Sequence, residues 1–270
     1  MRGANWMESV HVERSSVPQN RIRAKVDEYM SRRDYPGVER LLLYWLDEAE
    51  KVHDVRGKLM ILSELVGHYR KTGEKDKGAG RIEEALALTE SEGYARSVSG
   101  AITYINAGTA YNAFEENEKA LPLFEKAREI LLSCKETDAK LLAGLHNNMG
   151  LTYLELAGYE KAASAFLTSI SLLKEVPDGK LEQAVSFLNL ADAYSRALGM
   201  PQAEEKIFPL LDSAERLFMD PDIPRNGYYA YVSSQSAPTF DYYGYFFTAE
   251  QLRQQAKEIY ERTGNGEKVF

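Results

Sequence analysis

Five tyrosines, Tyr29, Tyr69, Tyr111, Tyr153 and Tyr194, recur at intervals of 40, 42, 42 and 41 residues. Their neighbours recur with them: Gly108, Gly150 and Ala191 stand three places before a tyrosine, and Ala120, Ala162 and Ala203 stand nine places after one. Phe124, Phe166 and Ile207 follow four residues further on. Self-similarity at this period describes stacked helical units, each unable to bury its apolar face alone and each completing its neighbour's core. The small residues leave room for a second helix to approach the first, and the tyrosine fills the space at the open end of the hairpin. Voids and overpacking both cost roughly 1–3 kcal/mol or more, so this small-against-large alternation fixes one packing angle. The tyrosines are therefore packing residues.

The clearest unit reads Asn147-Asn148-Met149-Gly150-Leu151-Thr152-Tyr153, then Ala157-Gly158-Tyr159-Glu160-Lys161-Ala162, then Phe166. Two apolar-periodic segments joined by a short polar turn form an αα-hairpin. Outer units keep a weaker version: Leu65, Tyr69, Gly73, Gly78, Ile82 and Ala85 in one, and Tyr29, Tyr35, Pro36, Val38, Leu42 and Trp45 in the first. Gly78 and Gly80 should weaken their helix by about 0.5–1 kcal/mol each, and Pro36 suits a helix's first turn. Pro177-Asp178-Gly179 separates two units, and Pro221 with Pro224 ends the array. Pro122 and Pro209 fall inside helical patterns and predict a kink or one lost hydrogen bond.

These residues resemble the tetratricopeptide repeat (TPR) family, over roughly residues 20 to 219. The family's first-helix tryptophan is replaced by Tyr104, His146 and Phe187, and the period exceeds the usual 34. That extra length resembles the long-repeat branch that includes kinesin light chains and peptide-pheromone receptors of Gram-positive bacteria. A HEAT or armadillo array, with a period of about 40–47, also fits the spacing, but the Gly-x-x-Tyr and Tyr-x-x-Ala signatures favour the TPR assignment. The resemblance implies an all-α, right-handed superhelical solenoid of about five antiparallel helix pairs over residues 20–224. Residues 1–19 lack a sustained period and are expected to form a partly disordered arm.

Residues 225–270 depart from the pattern. Tyr228, Tyr229, Tyr231, Phe240, Tyr242, Tyr243, Tyr245, Phe246 and Phe247 crowd this segment, and a last helix is expected to open on a capping box of Thr248 and Gln251. Two roles are open for it: a cap over the last repeat, or a homo-oligomer or partner surface through Tyr228–Phe247.

Composition narrows the function. A formal charge of −8 and a pI near 5.3 argue against nonspecific binding to nucleic acid or anionic membranes. No apolar run approaches the ~20 residues needed to cross a bilayer, and the first residues lack a signal peptide's apolar core. Cys134 is the only cysteine, which excludes an intrachain disulfide and a cysteine-based zinc site. A cytoplasmic location is the expectation. His11, His53, His68 and His146 form no His-Glu-x-x-His motif, and neither a phosphate-binding Gly-x-x-x-x-Gly-Lys nor a Gly-x-Ser-x-Gly elbow occurs. The chain reads as non-catalytic, without metal or cofactor.

The resemblance implies that first helices line a concave groove, and asparagines there contact the backbone of a bound peptide in the long-repeat branch. Five residues before a tyrosine, about 140° around the helix, stand Asn106, Asn148 and Asn189. Asn147 and Asn112 lie beside them, with Asp192 and Arg196 on neighbouring faces and Glu64, Arg70 and Lys71 earlier in the array. A primary amide offers both donors and an acceptor, which suits either a ladder along an extended peptide or a bridge between adjacent repeats. The chaperone-binding carboxylate clamp is not recognisable. A protein or peptide partner in the groove is the leading expectation. A sensor of a small signalling peptide is the second, although nineteen nonrepeat residues are too few for an N-terminal effector domain. A structural oligomer is the third.

Overall fold

Asp34, Asp54, Ser97, Asp138 and Asn226 each turn a side-chain oxygen onto backbone N–H groups of the next turn, and a helix starts at each. Caps of this kind are worth about 0.5–2 kcal/mol apiece. Asp54 does more: its second oxygen accepts the backbone N–H groups of Ser16 (2.7 Å) and Val17 (3.1 Å), tying the chain before the first helix to the start of the third.

The structure is a computed structural model that describes residues 16–134 and 137–263; most of the expected arm lies outside these residues. The chain divides into two compact units, residues 1–93 and 94–270. The first contains α1 (Gln19–Ser31), α2 (Tyr35–Lys51), α3 (Val55–Thr72) and α4 (Lys75–Ser91). The second contains a 3-10 turn (Tyr94–Arg96), then α5 (Val98–Ala113), α6 (Asn117–Ser133), α7 (Ala139–Glu155), α8 (Tyr159–Leu173), α9 (Lys180–Leu198), α10 (Glu204–Phe218), α11 (Gly227–Tyr242) and α12 (Phe246–Arg262). The described residues are all-α, and consecutive helices form six antiparallel pairs. No helix among them is long and apolar enough to cross a membrane.

The sequence period becomes geometry at the helix pairs. A Cβ on Gly108 would lie 2.7 Å from the Phe124 ring, and one on Gly150 would lie 2.4 Å from the Phe166 ring. Ala120 and Ala162 are fully buried on the opposite helices. Tyr69 and Tyr111 are buried, while Tyr29, Tyr153 and Tyr194 are half-buried at the open end of their hairpins. A lysine ammonium covers each of four rings: Lys77 over Tyr69 at 5.6 Å, Lys119 over Tyr111 at 5.4 Å, Lys161 over Tyr153 at 5.7 Å and Lys206 over Tyr194 at 4.9 Å. The first three lysines stand eight residues after their tyrosine, so the second helix begins by covering the ring that ends the first.

Two expectations need correction. The described residues form six helix pairs rather than about five: the aromatic segment, expected to cap the last repeat or to serve as an interface, forms the sixth, with Tyr229, Ala237, Phe240 and Ala249 all fully buried against Ile207, Leu211, Ala214 and Phe218. Ala237, Phe240 and Ala249 repeat the spacing of Gly150, Tyr153 and Ala162, with phenylalanine replacing tyrosine. Thr248 does not cap α12: Tyr245 holds the N-cap position, and the Thr248 hydroxyl bonds to Glu215 on α10 instead. The helices α6, α10 and α11 continue past Pro122, Pro209 and Pro238, each of which supplies no backbone N–H to its helix.

Gly150→Ala should lower stability by roughly 1–3 kcal/mol, because its methyl group needs space that the Phe166 ring occupies. Gly144 has open space where a Cβ would stand, so Gly144→Ala should stabilise by about 0.4–1 kcal/mol. Opposite shifts of the two melting temperatures are the expected result, and equal shifts would contradict this packing.

His68 on α3 supplies a pH dependence. Its side chain is buried beside Tyr35 and Tyr69, and Nδ1 has no hydrogen-bond partner. Burial holds its pKa below the ordinary 6.5, so the unfolded chain takes up a proton that the folded chain resists. Stability should therefore fall as pH drops below about 6.5. His68→Leu should flatten that fall in denaturation midpoints measured from pH 7.5 to 5.

Candidate functional site

The first helices of the pairs in the second unit, α5, α7, α9 and α11, lie side by side in chain order. A polar seam runs between α5 and α7 and continues between α7 and α9. Asn112 donates from Nδ2 to Thr152 Oγ1 at 2.8 Å, and Asn148 donates from Nδ2 to Thr109 Oγ1 at 3.2 Å. Both threonines spend their own proton on a backbone carbonyl four residues back, Asn148 O and Ile105 O, which leaves the hydroxyl oxygen to accept the amide. In the next interval Asn189 Nδ2 donates to Asn147 Oδ1 at 2.9 Å, and Ser186 Oγ sits 3.3 Å from the same oxygen and 3.0 Å from Ser169 Oγ.

These bonds join residues 39 to 42 apart, one repeat. They use one end of each amide: the oxygen of Asn147 and the NH2 groups of Asn148 and Asn189. The same three residues line a cavity of about 440 Å³. Its far wall is α11, through Tyr228, Tyr231, Gln235 and Thr239, and Leu151 and Val185 complete the near side. Asn189 and Thr239 also line an adjoining cavity of about 320 Å³ with Asp192, Tyr242 and Tyr243. At the opposite end, Glu182 and Tyr228 border a third, of about 230 Å³, with Lys140 and Lys180. The Tyr228 hydroxyl donates to Glu182 Oε1 at 3.3 Å, and burial together with that carboxylate's charge pushes its pKa up to about 12. A phenol so shifted is a hydrogen-bond donor at every physiological pH.

No family model matches the chain. Over 137 residues, half of this chain, it is 28% identical to Protein KINESIN LIGHT CHAIN-RELATED 1 from Arabidopsis thaliana, of which it spans only 22%. Its fold is similar to that of BtubC (BKLC) from P. vanneervenii, with a TM-score of 0.65 and 21% identity over 73% of this chain and 78% of that one. It is also similar to NprR, solved in complex with its cognate peptide NprX, with a TM-score of 0.55 and 16% identity over 93% of this chain and 70% of that one. The chain is a TPR-like repeat protein.

Within this TPR-like framework, the residues singled out from sequence fall into four groups. Asn147, Asn148, Asn189 and Asp192 come together on the connected cavities. Asn112 belongs to the seam, bonded to Thr152, and Asn106 on α5 is half-buried and does not line these cavities. Arg196 sits at the rim, where Glu155 (3.3 Å) and Asp192 (2.9 Å) hold it. Glu64, Arg70 and Lys71 belong to α3 in the other unit, where Glu64 pairs with Arg23 at 3.1 Å and Arg70 and Lys71 are exposed in the last turn. The α11 wall is what sequence reading missed. The spacing of Ala237, Phe240 and Ala249 was the available signal that α11 is another first helix. Among the described residues, no group of three or more His, Cys, Asp or Glu side chains is placed to hold a metal ion.

Asn147→Ala would strand the Asn189 amide and remove the acceptor beside Ser186, at an expected cost of about 0.5–1.5 kcal/mol. Arg196→Ala, which removes only exposed ion pairs, should cost less than about 0.5 kcal/mol. The difference should appear as separated denaturation midpoints.

Proposed function

We propose that this protein is a non-catalytic binding module that takes an extended peptide, or an extended segment of a partner protein, in the groove bounded by α7, α9 and α11. The observation that carries this reading is the partly used amide row. Asn147, Asn148 and Asn189 are oriented by bonds within the seam that leave donors and acceptors of each amide unused, and all three residues line a cavity large enough for side chains. Polar groups fixed in advance lose little entropy when a ligand arrives. An amide row satisfies peptide N–H and C=O groups irrespective of the side chains they carry. The similarity to NprR, solved with a peptide, supports the same reading, and a small signalling peptide is one form such a ligand can take.

A second reading, self-association through the α11–α12 edge, is favoured by a separate observation. Of the nine aromatics in this segment, Tyr242, Phe246 and Phe247 are 73%, 68% and 83% exposed, and all three lie within two residues of the turn between the two helices. Exposed aromatic clusters of this kind mark interaction surfaces.

The test pairs Asn148→Ala with Asn189→Ala and captures partners from a lysate of the source organism. The double variant should keep its helical circular-dichroism spectrum and lose captured partner at least tenfold. Undiminished capture by a folded double variant would remove the amide row from the recognition mechanism. Recovery of the protein alone, with a larger mass by light scattering, would favour self-association.

A further inference from the structure

The four first helices of the second unit are nearly free of charge along their central turns. In a chain with 27% charged residues, α5 contains no Asp, Glu, Lys or Arg at all. None occurs between Lys140 and Glu155 on α7, between Glu182 and Asp192 on α9, or from Gly227 to Phe240 on α11. The second helices carry the opposite character; α6 alone has Glu118, Lys119, Glu125, Lys126, Arg128 and Glu129.

The charges that border this neutral band are tied to one another. Lys140 lies 3.0 Å from Asp178 and 3.1 Å from Glu182; Lys180 lies 2.8 Å from Asp220 and 3.3 Å from Asp222; Arg196 spans Glu155 and Asp192. Glu182 is the single charged residue on the 440 Å³ cavity; its Oε1 receives both the Lys140 ammonium and the Tyr228 hydroxyl, and its Oε2 is buried without a partner. The walls are apolar and accessible: Leu151 is 38% exposed, Tyr228 51% and Tyr231 55%.

We propose that the groove selects an uncharged extended segment bearing a bulky apolar side chain, and discriminates against acidic and basic ligands alike. This inference rests on the peptide-groove reading above and adds the chemistry of the ligand. The physical ground is asymmetric. A side chain that enters between Leu151 and the two tyrosines exchanges water for apolar surface on both sides, which is favourable in proportion to the area covered. A carboxylate or ammonium entering the same space is desolvated; a carboxylate also meets a border in which six carboxylates share three cations, and an ammonium finds each of those carboxylates already bonded to a cation, with the unpartnered Glu182 Oε2 buried. The amides on the floor do not correct this, because they act on the ligand's backbone. A cavity of about 440 Å³ is within the range of about 300–1,000 Å³ that suits small-ligand sites, enough for large side chains plus their backbone.

The experiment is a positional-scanning library of octapeptides, acetylated and amidated at their ends, measured against the full chain by surface plasmon resonance at 50 and 300 mM NaCl. The central positions should prefer Trp, Phe or Leu over Lys, Arg, Asp or Glu by at least tenfold. The affinity of the best neutral peptide should change less than twofold between the two salt concentrations, since no ion pair is formed. Leu151→Glu, a change on an exposed position, should weaken that peptide at least tenfold while the circular-dichroism spectrum is kept. A best ligand with Lys, Arg, Asp or Glu at the centre, or an affinity that falls steeply with salt, would overturn the selectivity and leave the groove in place. Absence of binding by every member of the library would remove the groove reading, and this inference with it.

Discussion

The contact between Gly150 and the ring of Phe166 sets the geometry on which the candidate site depends. With 2.4 Å between an ideal Cβ position and the ring, the two helices of the pair approach until backbone meets aromatic edge, which fixes both their separation and the rotation of α7 about its axis. Gly108 and Phe124 impose the same condition on α5 and α6. Once two neighbouring first helices are fixed in rotation, residues one repeat apart must face each other, and short polar side chains such as Asn148 and Thr109 can reach. A seam made of amides and hydroxyls tolerates little error, because a shift of an ångström breaks hydrogen bonds whose useful range is only a few tenths wide.

The seam also accounts for how one row of asparagines could both stabilise the array and serve the binding role proposed above. A primary amide has two donor hydrogens and two acceptor lone pairs, and the bonds between repeats occupy one of these four positions on Asn148 and on Asn189 and two on Asn147. Bonding to a neighbouring repeat and bonding to a ligand are therefore not competing roles. The first holds the group in the orientation that the second requires, so the structural bond lowers the entropy lost on binding.

Sequence reading recovered the repeat because its signal is a fixed triple, a small residue, an aromatic three places later and a small residue nine beyond, and packing tolerates little else at those positions. It stopped one pair short. Phe240 follows Tyr194 by 46 residues rather than 40 to 42, after a connection containing Pro221 and Pro224, and it lacks the hydroxyl that marked the earlier members. The hydroxyl was incidental to the fold: Phe240 is fully buried on the same pattern of neighbours. Thr248 and Gln251 illustrate the converse error, a motif with the right letters inside a helix that had already begun at Phe246. Asp192 and Arg196 were legible as residues of the right helix, but their mutual pairing depends on side-chain reach and on Glu155 from the preceding repeat, which no local pattern encodes.

The helical period divides the work within α7 among separate faces. Gly150 packs on α8, Asn148 and Thr152 face α5 through the seam, and Asn147 with Leu151, four residues apart and hence on one side, face the cavity. The first two faces are constrained by contacts with zero spare volume or by paired hydrogen bonds. The third is less constrained, because Leu151 is 38% exposed and a Cβ at Gly144 would meet open space, whereas Asn147 is held by Asn189. If the proposed groove binds a peptide, its side-chain preference could change at the exposed Leu151 or Tyr231 with little effect on stability, while the amides held in the seam stay in place. On that reading each added pair in a repeat array would extend the amide row by one step of the same geometry, with side-chain selectivity set locally at each step.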